Sequence, residues 1–105
     1  MDKGNLFDDA APPAQGERFT PLLQHKSLLI ERIVSSANSL PVDYVQTQDE
    51  WVVLIQGEAV LQVAGESVSL ASGDHVFLPA GTPHKVERVS DGAMWLAVHL
   101  NPQNE

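Results

Sequence analysis

The sequence predicts an all-β domain, a sandwich or barrel of antiparallel strands. Three observations carry this. From Leu28 onward the apolar residues fall in six to eight short runs rich in Val, Ile and Leu, each closed by Gly, Pro, Asn or Asp. The runs recur at roughly 8–12-residue spacing, the rhythm of short strands joined by turns. No stretch after residue 40 has the length and 3.6-residue periodicity of a helix.

Residues 1–20 read as a flexible N-terminal arm. Asp2, Asp8, Asp9, Pro12, Pro13 and Gly16 leave only Leu6, Phe7 and Phe19 as large apolar side chains, too little burial to offset the entropy of ordering. An arm lying on a partner subunit would use Leu6 and Phe7 as anchors. The barrel domain then covers residues 21–105, with His25 in a polar turn. Leu28 to Ser35 is apolar and branched; it suits a strand, and through Leu29, Ile30, Ile33 and Val34 it also suits a helical face. Asn38, Ser39 and Pro41 break it, and Tyr44-Val45 begins a short extended piece. Trp51 to Ile55 is a compact β-branched run, punctuated by Gln56-Gly57. Ala59 to Val63 follows, then the turn Ala64-Gly65, then Val68 and Leu70 at period two. Ser72-Gly73-Asp74 leads to a strand over Val76 to Leu78. Pro79-Ala80-Gly81-Thr82-Pro83 turns the chain into Lys85 to Val89, and Asp91-Gly92 into Met94 to Leu100.

Length and charge narrow the function classes. The chain of 105 residues has room for one domain, and 43% apolar with 19% charged residues is a globular composition. Fourteen acidic against six basic residues give a net charge of −8, which repels phosphate backbones and argues against a nucleic-acid partner. No apolar stretch approaches the ~20 residues of a membrane span, and no secretory pattern opens the chain. The absence of cysteine excludes disulfides, thiolate metal sites and a cysteine nucleophile. A cytoplasmic protein is the expectation. No Gly-x-Ser-x-Gly elbow, phosphate-cradling loop or dinucleotide fingerprint occurs.

Two spaced motifs remain. Gly73, Pro79, Gly81 and His84 stand in the pattern Gly, five residues, Pro, one residue, Gly, two residues, His, with Arg88 four positions on. Glu50 and Gly57 are separated by six residues, preceded by Asn38, Tyr44 and Gln46. Together they resemble the two motifs of the cupins, small jelly-roll β-barrels. The second motif is nearly complete, with Arg88 where the family has Asn. The first lacks both histidines: Tyr44 and Gln46 stand in their places, and Asn38 stands for the first glycine.

The resemblance implies a single cupin-type double-stranded β-helix. It also implies one divalent metal (Fe, Mn, Ni or Zn) held by His84, Glu50 and Gln46, weakly because two imidazoles are missing. Tyr44, Gln48, Arg88 and His99 are the candidate ligand-binding residues. His84 also admits the reading of a hydrogen-bonded core histidine, and Glu50 that of a solvated strand end. If His84 points inward, the period of two places Val86 and Arg88 on its face, where Arg88 either neutralises Glu50 or clamps an acidic ligand. His75 has the opposite parity and is expected outside. His99 shares a face with Trp95 and Ala97, and either face of that strand could be internal. Trp51 and Trp95 suit core or dimer-interface positions.

The leading expectation is a cupin binding a small polar or anionic metabolite in the cavity. The alternatives are a metal-dependent enzyme of dioxygenase, isomerase or decarboxylase type, and a structural dimerisation domain. A homodimer is expected, paired through edge strands.

Overall fold

The computed structural model describes residues 1–102. Among the described residues, eight strands and no helix form two antiparallel sheets: β1 (Glu17–His25), β2 (Leu28–Ser35), β3 (Asp49–Gln56), β4 (Glu58–Val63), β5 (Glu66–Ala71), β6 (His75–Leu78), β7 (His84–Val89) and β8 (Met94–Leu100). The larger sheet runs β1-β2-β8-β3-β6 and the smaller β5-β4-β7. This is the expected jelly-roll barrel. The segment that was open between strand and helix, Leu28 to Ser35, is a strand because it pairs on both sides, with β1 and with β8. Pairing of this kind overrides local periodicity.

Register decides what faces inward. Across β3 and β8 the opposed pairs are Glu50 with His99, Val52 with Ala97 and Leu54 with Trp95. These alternate residues, with Ile33, Ala59, Leu61, Leu70 and Leu78 from other strands, make the buried core between the sheets. Glu50 and His99 therefore sit on the inward face, above the apolar layers.

Gly57 is where the chain passes from the larger sheet to the smaller. Its φ is 98°, and a Cβ there would lie 2.6 Å from Ser90 Oγ and 2.9 Å from Ala93 Cβ. Only glycine meets both demands.

β1 begins at Glu17, within the segment that composition sets apart as an arm. The residues before it lie against the outer side of the larger sheet. The Arg32 guanidinium donates to the backbone carbonyls of Leu6 (2.9 Å), Asp8 (2.6 Å) and Asp9 (3.2 Å). Arg18 also donates to Asp9 O, and Ser36 Oγ to Ala14 O at 3.3 Å. Val34 and Met94 face outward by register, yet both are fully buried and stand outside the core cluster. The arm is tied down at this end of the sheet, through Arg18, Arg32 and Ser36.

Candidate functional site

A cavity of about 70 Å³ opens between the sheets at the motif end of the core. That is room for two or three waters, at ~30 Å³ each, or one compact organic molecule. β3 contributes Glu50, β8 His99 and Trp95, β7 His84, β2 Glu31 and β1 Glu17. Tyr44 and Gln46 come from the 36–48 connection. They are held there because Tyr44 and His84 exchange backbone hydrogen bonds of 2.8 and 2.9 Å, and Gln46 O accepts from Gly81 N at 2.8 Å. The Tyr44 and His84 rings stack with centroids 5.7 Å apart. The positive φ of Gly81, 82°, shapes the turn that makes this approach possible.

The polar groups are oriented through specific partners. His84 Nδ1 lies 3.1 Å from Thr82 O, so Nδ1 carries the proton and donates it to that carbonyl. The Nε2 lone pair is then left facing Glu50 Oε1 at 4.0 Å. Gln48 Nε2 lies 3.2 Å from His99 Nδ1, and His99 Nε2 lies 2.9 Å from Glu31 Oε1. Both contacts are satisfied when Gln48 donates to Nδ1 and the Nε2 hydrogen goes to Glu31. Glu50 is 6% exposed, and its Oε1 finds no hydrogen-bond donor among the described residues. Its nearest imidazole atoms, His84 Nε2 at 4.0 Å and His99 Nδ1 at 3.8 Å, are beyond hydrogen-bond reach.

Farther along the wall, Trp95 Nε1–H donates to Ser35 Oγ at 3.1 Å and the Ser35 hydroxyl donates to Glu17 Oε2 at 2.9 Å. Burial pushes the Glu17 carboxyl above its ordinary range, the Ser35 hydrogen bond opposes this, and Glu50 and Glu31 add to the rise. Burial, with Glu17 and Glu50, also raises the Tyr44 phenol. Tyr44 therefore faces the cavity as a protonated hydroxyl.

Among the expected site residues, the structure brings Tyr44, Gln46, Glu50, His84 and His99 to one cavity. Gln48 stands behind His99 and orients it. The placement of Arg88 is corrected. In the β4–β7 ladder Leu61 opposes Val86 and Val60 opposes Arg88, so Glu87 is an extra, bulged residue. One inserted residue reverses the facing of everything beyond it. Val86 and Val89 pack against the core while Arg88 is exposed. Glu17 and Glu31 line the cavity without having been singled out from the sequence. The one signal for Glu31 was its shared parity with Leu29 and Ile33.

The residues present do not fit a resident metal. Among the described residues no group of three or more His, Asp or Glu side chains is arranged to hold one. His84 Nε2 and Glu50 Oε1 are two suitable donors. Both His99 nitrogens are engaged, Tyr44 keeps its proton, and Gln46 offers only an amide oxygen.

A family model described as a cupin domain matches residues 30–99. Among solved structures, a protein of Ralstonia eutropha JMP134 named for a proposed mannose-6-phosphate isomerase activity is 35% identical. The match covers 97% of this chain and 100% of that one, with a TM-score of 0.84. The TT1209 protein of Thermus thermophilus is 26% identical over 96% and 98% of the two chains, TM-score 0.83. The EutQ protein of Clostridium difficile, 22% identical over 81% and 68%, shares the fold at TM-score 0.69. No curated protein matches the sequence. No helix among the described residues is long and apolar enough to cross a membrane.

Proposed function

This chain belongs to the cupin family, and from that premise we propose that its barrel binds a small polar molecule that brings hydrogen-bond donors of its own. One observation carries the reading: Glu50 Oε1 is buried in the cavity wall with no donor among the described residues. A buried carboxylate oxygen without a partner is costly, and a ligand hydroxyl or ammonium removes the cost. The anionic ligand that Arg88 would have clamped loses support, because the bulge at Glu87 turns Arg88 away. Among the described residues three carboxylates line the cavity and no Lys or Arg does, so an anion would meet like charge. The cysteine-free sequence suits a cytoplasmic setting.

Three two-carbon probes of similar size and different charge test this: ethylene glycol, ethanolamine and glycolate. The first two are expected to raise the melting temperature of the wild type, by the RT ln(1 + [L]/Kd) of a ligand that binds only the folded state. Glycolate is expected to do nothing, and Glu50→Gln to weaken the response at least tenfold. Stabilisation by glycolate alone sinks the reading.

A second reading, an acid–base enzyme, is favoured by His84 Nε2 facing Glu50 across 4.0 Å and by the name of the 35% identical relative. Elemental analysis of untagged protein separates this from the metal-dependent form expected of the family. Near-stoichiometric metal would reinstate a weakly held ion at His84, Glu50 and Gln46.

A further inference from the structure

Acceptors converge at the polar end of the cavity. Glu50 Oε1 lies 4.0 Å from His84 Nε2 and 3.8 Å from His99 Nδ1. Thr82 O keeps the His84 proton on Nδ1, so Nε2 presents a lone pair. His99 Nδ1 already takes the Gln48 amide. Glu50 Oε1, without a donor among the described residues, and His84 Nε2 are left facing each other. A single atom about 2.9 Å from both, an ordinary hydrogen-bond length, sees them about 90° apart. Two hydrogens at a near-tetrahedral angle on that atom reach both acceptors, each bond bent only about 10° from linear. A hydroxyl has one hydrogen and serves one of the two. A primary ammonium has three.

We propose, on the reading that the cavity takes a donor-bearing molecule, that its ligand is a short primary alkylammonium ion. The nitrogen sits between Glu50 Oε1 and His84 Nε2, and the carbons lie against the apolar wall. Charge selects ammonium over water, which also offers two hydrogens. Glu31 is matched by His99 Nε2 at 2.9 Å and Glu17 by the Ser35 hydroxyl at 2.9 Å. Glu50 is 6% exposed and unmatched, and among the described residues no Lys or Arg lines the cavity. A water meets the hydrogen bonds and leaves the buried carboxylate without a counter-charge. A cation meets both demands. The net charge of −8 also draws cations toward the protein.

The remaining wall sets what the ammonium carries. Ile33, Val52, Leu61, Leu78 and Trp95 line the cavity and belong to the buried core. The Trp95 N–H is no second polar anchor, because it donates to Ser35 Oγ. A body of hydrocarbon suits these side chains. The cavity of about 70 Å³ takes two or three water-sized groups, so a seated nitrogen leaves room for about two carbons. Each methylene that reaches the wall is expected to tighten binding about fourfold. The Tyr44 ring, stacked on His84, fixes the plane in which the Nε2 lone pair points.

Nuclear magnetic resonance titration of the full chain at fixed ionic strength tests the proposal, with ethylammonium, ethanol and tetramethylammonium as probes. Ethylammonium is expected to shift the Glu50, His84 and Trp95 signals saturably, with a Kd at least about tenfold below that of ethanol. Tetramethylammonium, a cation without N–H, is expected to leave them unmoved. Methylammonium should bind about fourfold more weakly than ethylammonium. Glu50→Gln keeps the shape and loses the charge, and should bring ethylammonium to within about threefold of ethanol. The wild-type comparison stands whether or not that variant folds. Equal binding of ethylammonium and ethanol overturns the proposal and leaves a donor-bearing ligand in place. Tetramethylammonium matching ethylammonium also overturns it, since charge alone would then suffice. Silence toward both ethylammonium and ethanol overturns it together with the donor-bearing ligand.

Discussion

Glu17 shows how a single side chain ties cavity chemistry to stability. Its carboxyl is held above the ordinary 4.5 by burial, opposed by the Ser35 hydroxyl and reinforced by Glu50 and Glu31. The folded protein therefore retains a proton at Glu17 that the unfolded chain releases. Stability present below about pH 4.5 is lost as pH rises through the folded value. Glu17→Gln keeps an acceptor for Ser35 and cannot ionise. Thermal melts across this range should show the variant gaining on the wild type toward neutral pH, with the gap closing toward pH 4.5. Parallel curves would remove Glu17 as the cause. The same residue marks the limit of what the sequence reveals. His84, Glu50, Tyr44 and Gln46 were legible because turn glycines and spacing fixed their frame. Glu17 and Glu31 were not, because a carboxylate in a strand looks solvent-facing until its neighbours across the sheet are known.

At the level of elements, the sequence is most legible where turn residues punctuate it. The runs from Trp51 to Leu100 became β3 to β8 with boundaries close to those expected. β1 was not legible, since its apolar residues are interrupted by Thr20 and Pro21 and gain strand character from pairing with β2. Bulges were equally invisible: nothing in Val86-Glu87-Arg88 announces that Glu87 is extra, and that one residue moved Arg88 out of the expected site. Gly57 is the opposite case, a position whose need is plain in both sequence and structure. Gly57→Ala forces a side chain into a φ of 98° and against Ser90 and Ala93. The left-handed backbone costs ~1–2 kcal/mol and overpacking adds ~1–3 kcal/mol. Denaturant unfolding should report a loss of at least about 2 kcal/mol. A loss below about 0.5 kcal/mol, the range of an ordinary surface substitution, would mean that the crossing between the sheets relaxes freely.

For the whole molecule, the distribution of charge matters more than its total. Three of the fourteen carboxylates line the cavity, while the outer face of the larger sheet is nearly free of them. Self-repulsion in a chain of net charge −8 is screened once the Debye length falls to about 8 Å, at ~0.15 M salt. The melting temperature should therefore rise from low salt to that ionic strength and then level off. A melting temperature that falls over this range would mean that specific ion pairs outweigh the general repulsion. Division into an inner and an outer surface extends to the two tryptophans. Trp95 lines the cavity with its indole N–H on Ser35, whereas Trp51 lies on the outer face with its ring 5.4 Å from that of His75. Indole fluorescence therefore has two sources in different surroundings. Replacing one ring with phenylalanine isolates the emission of the other, so that one variant's fluorescence follows occupancy of the barrel and the other's follows the exposed outer face.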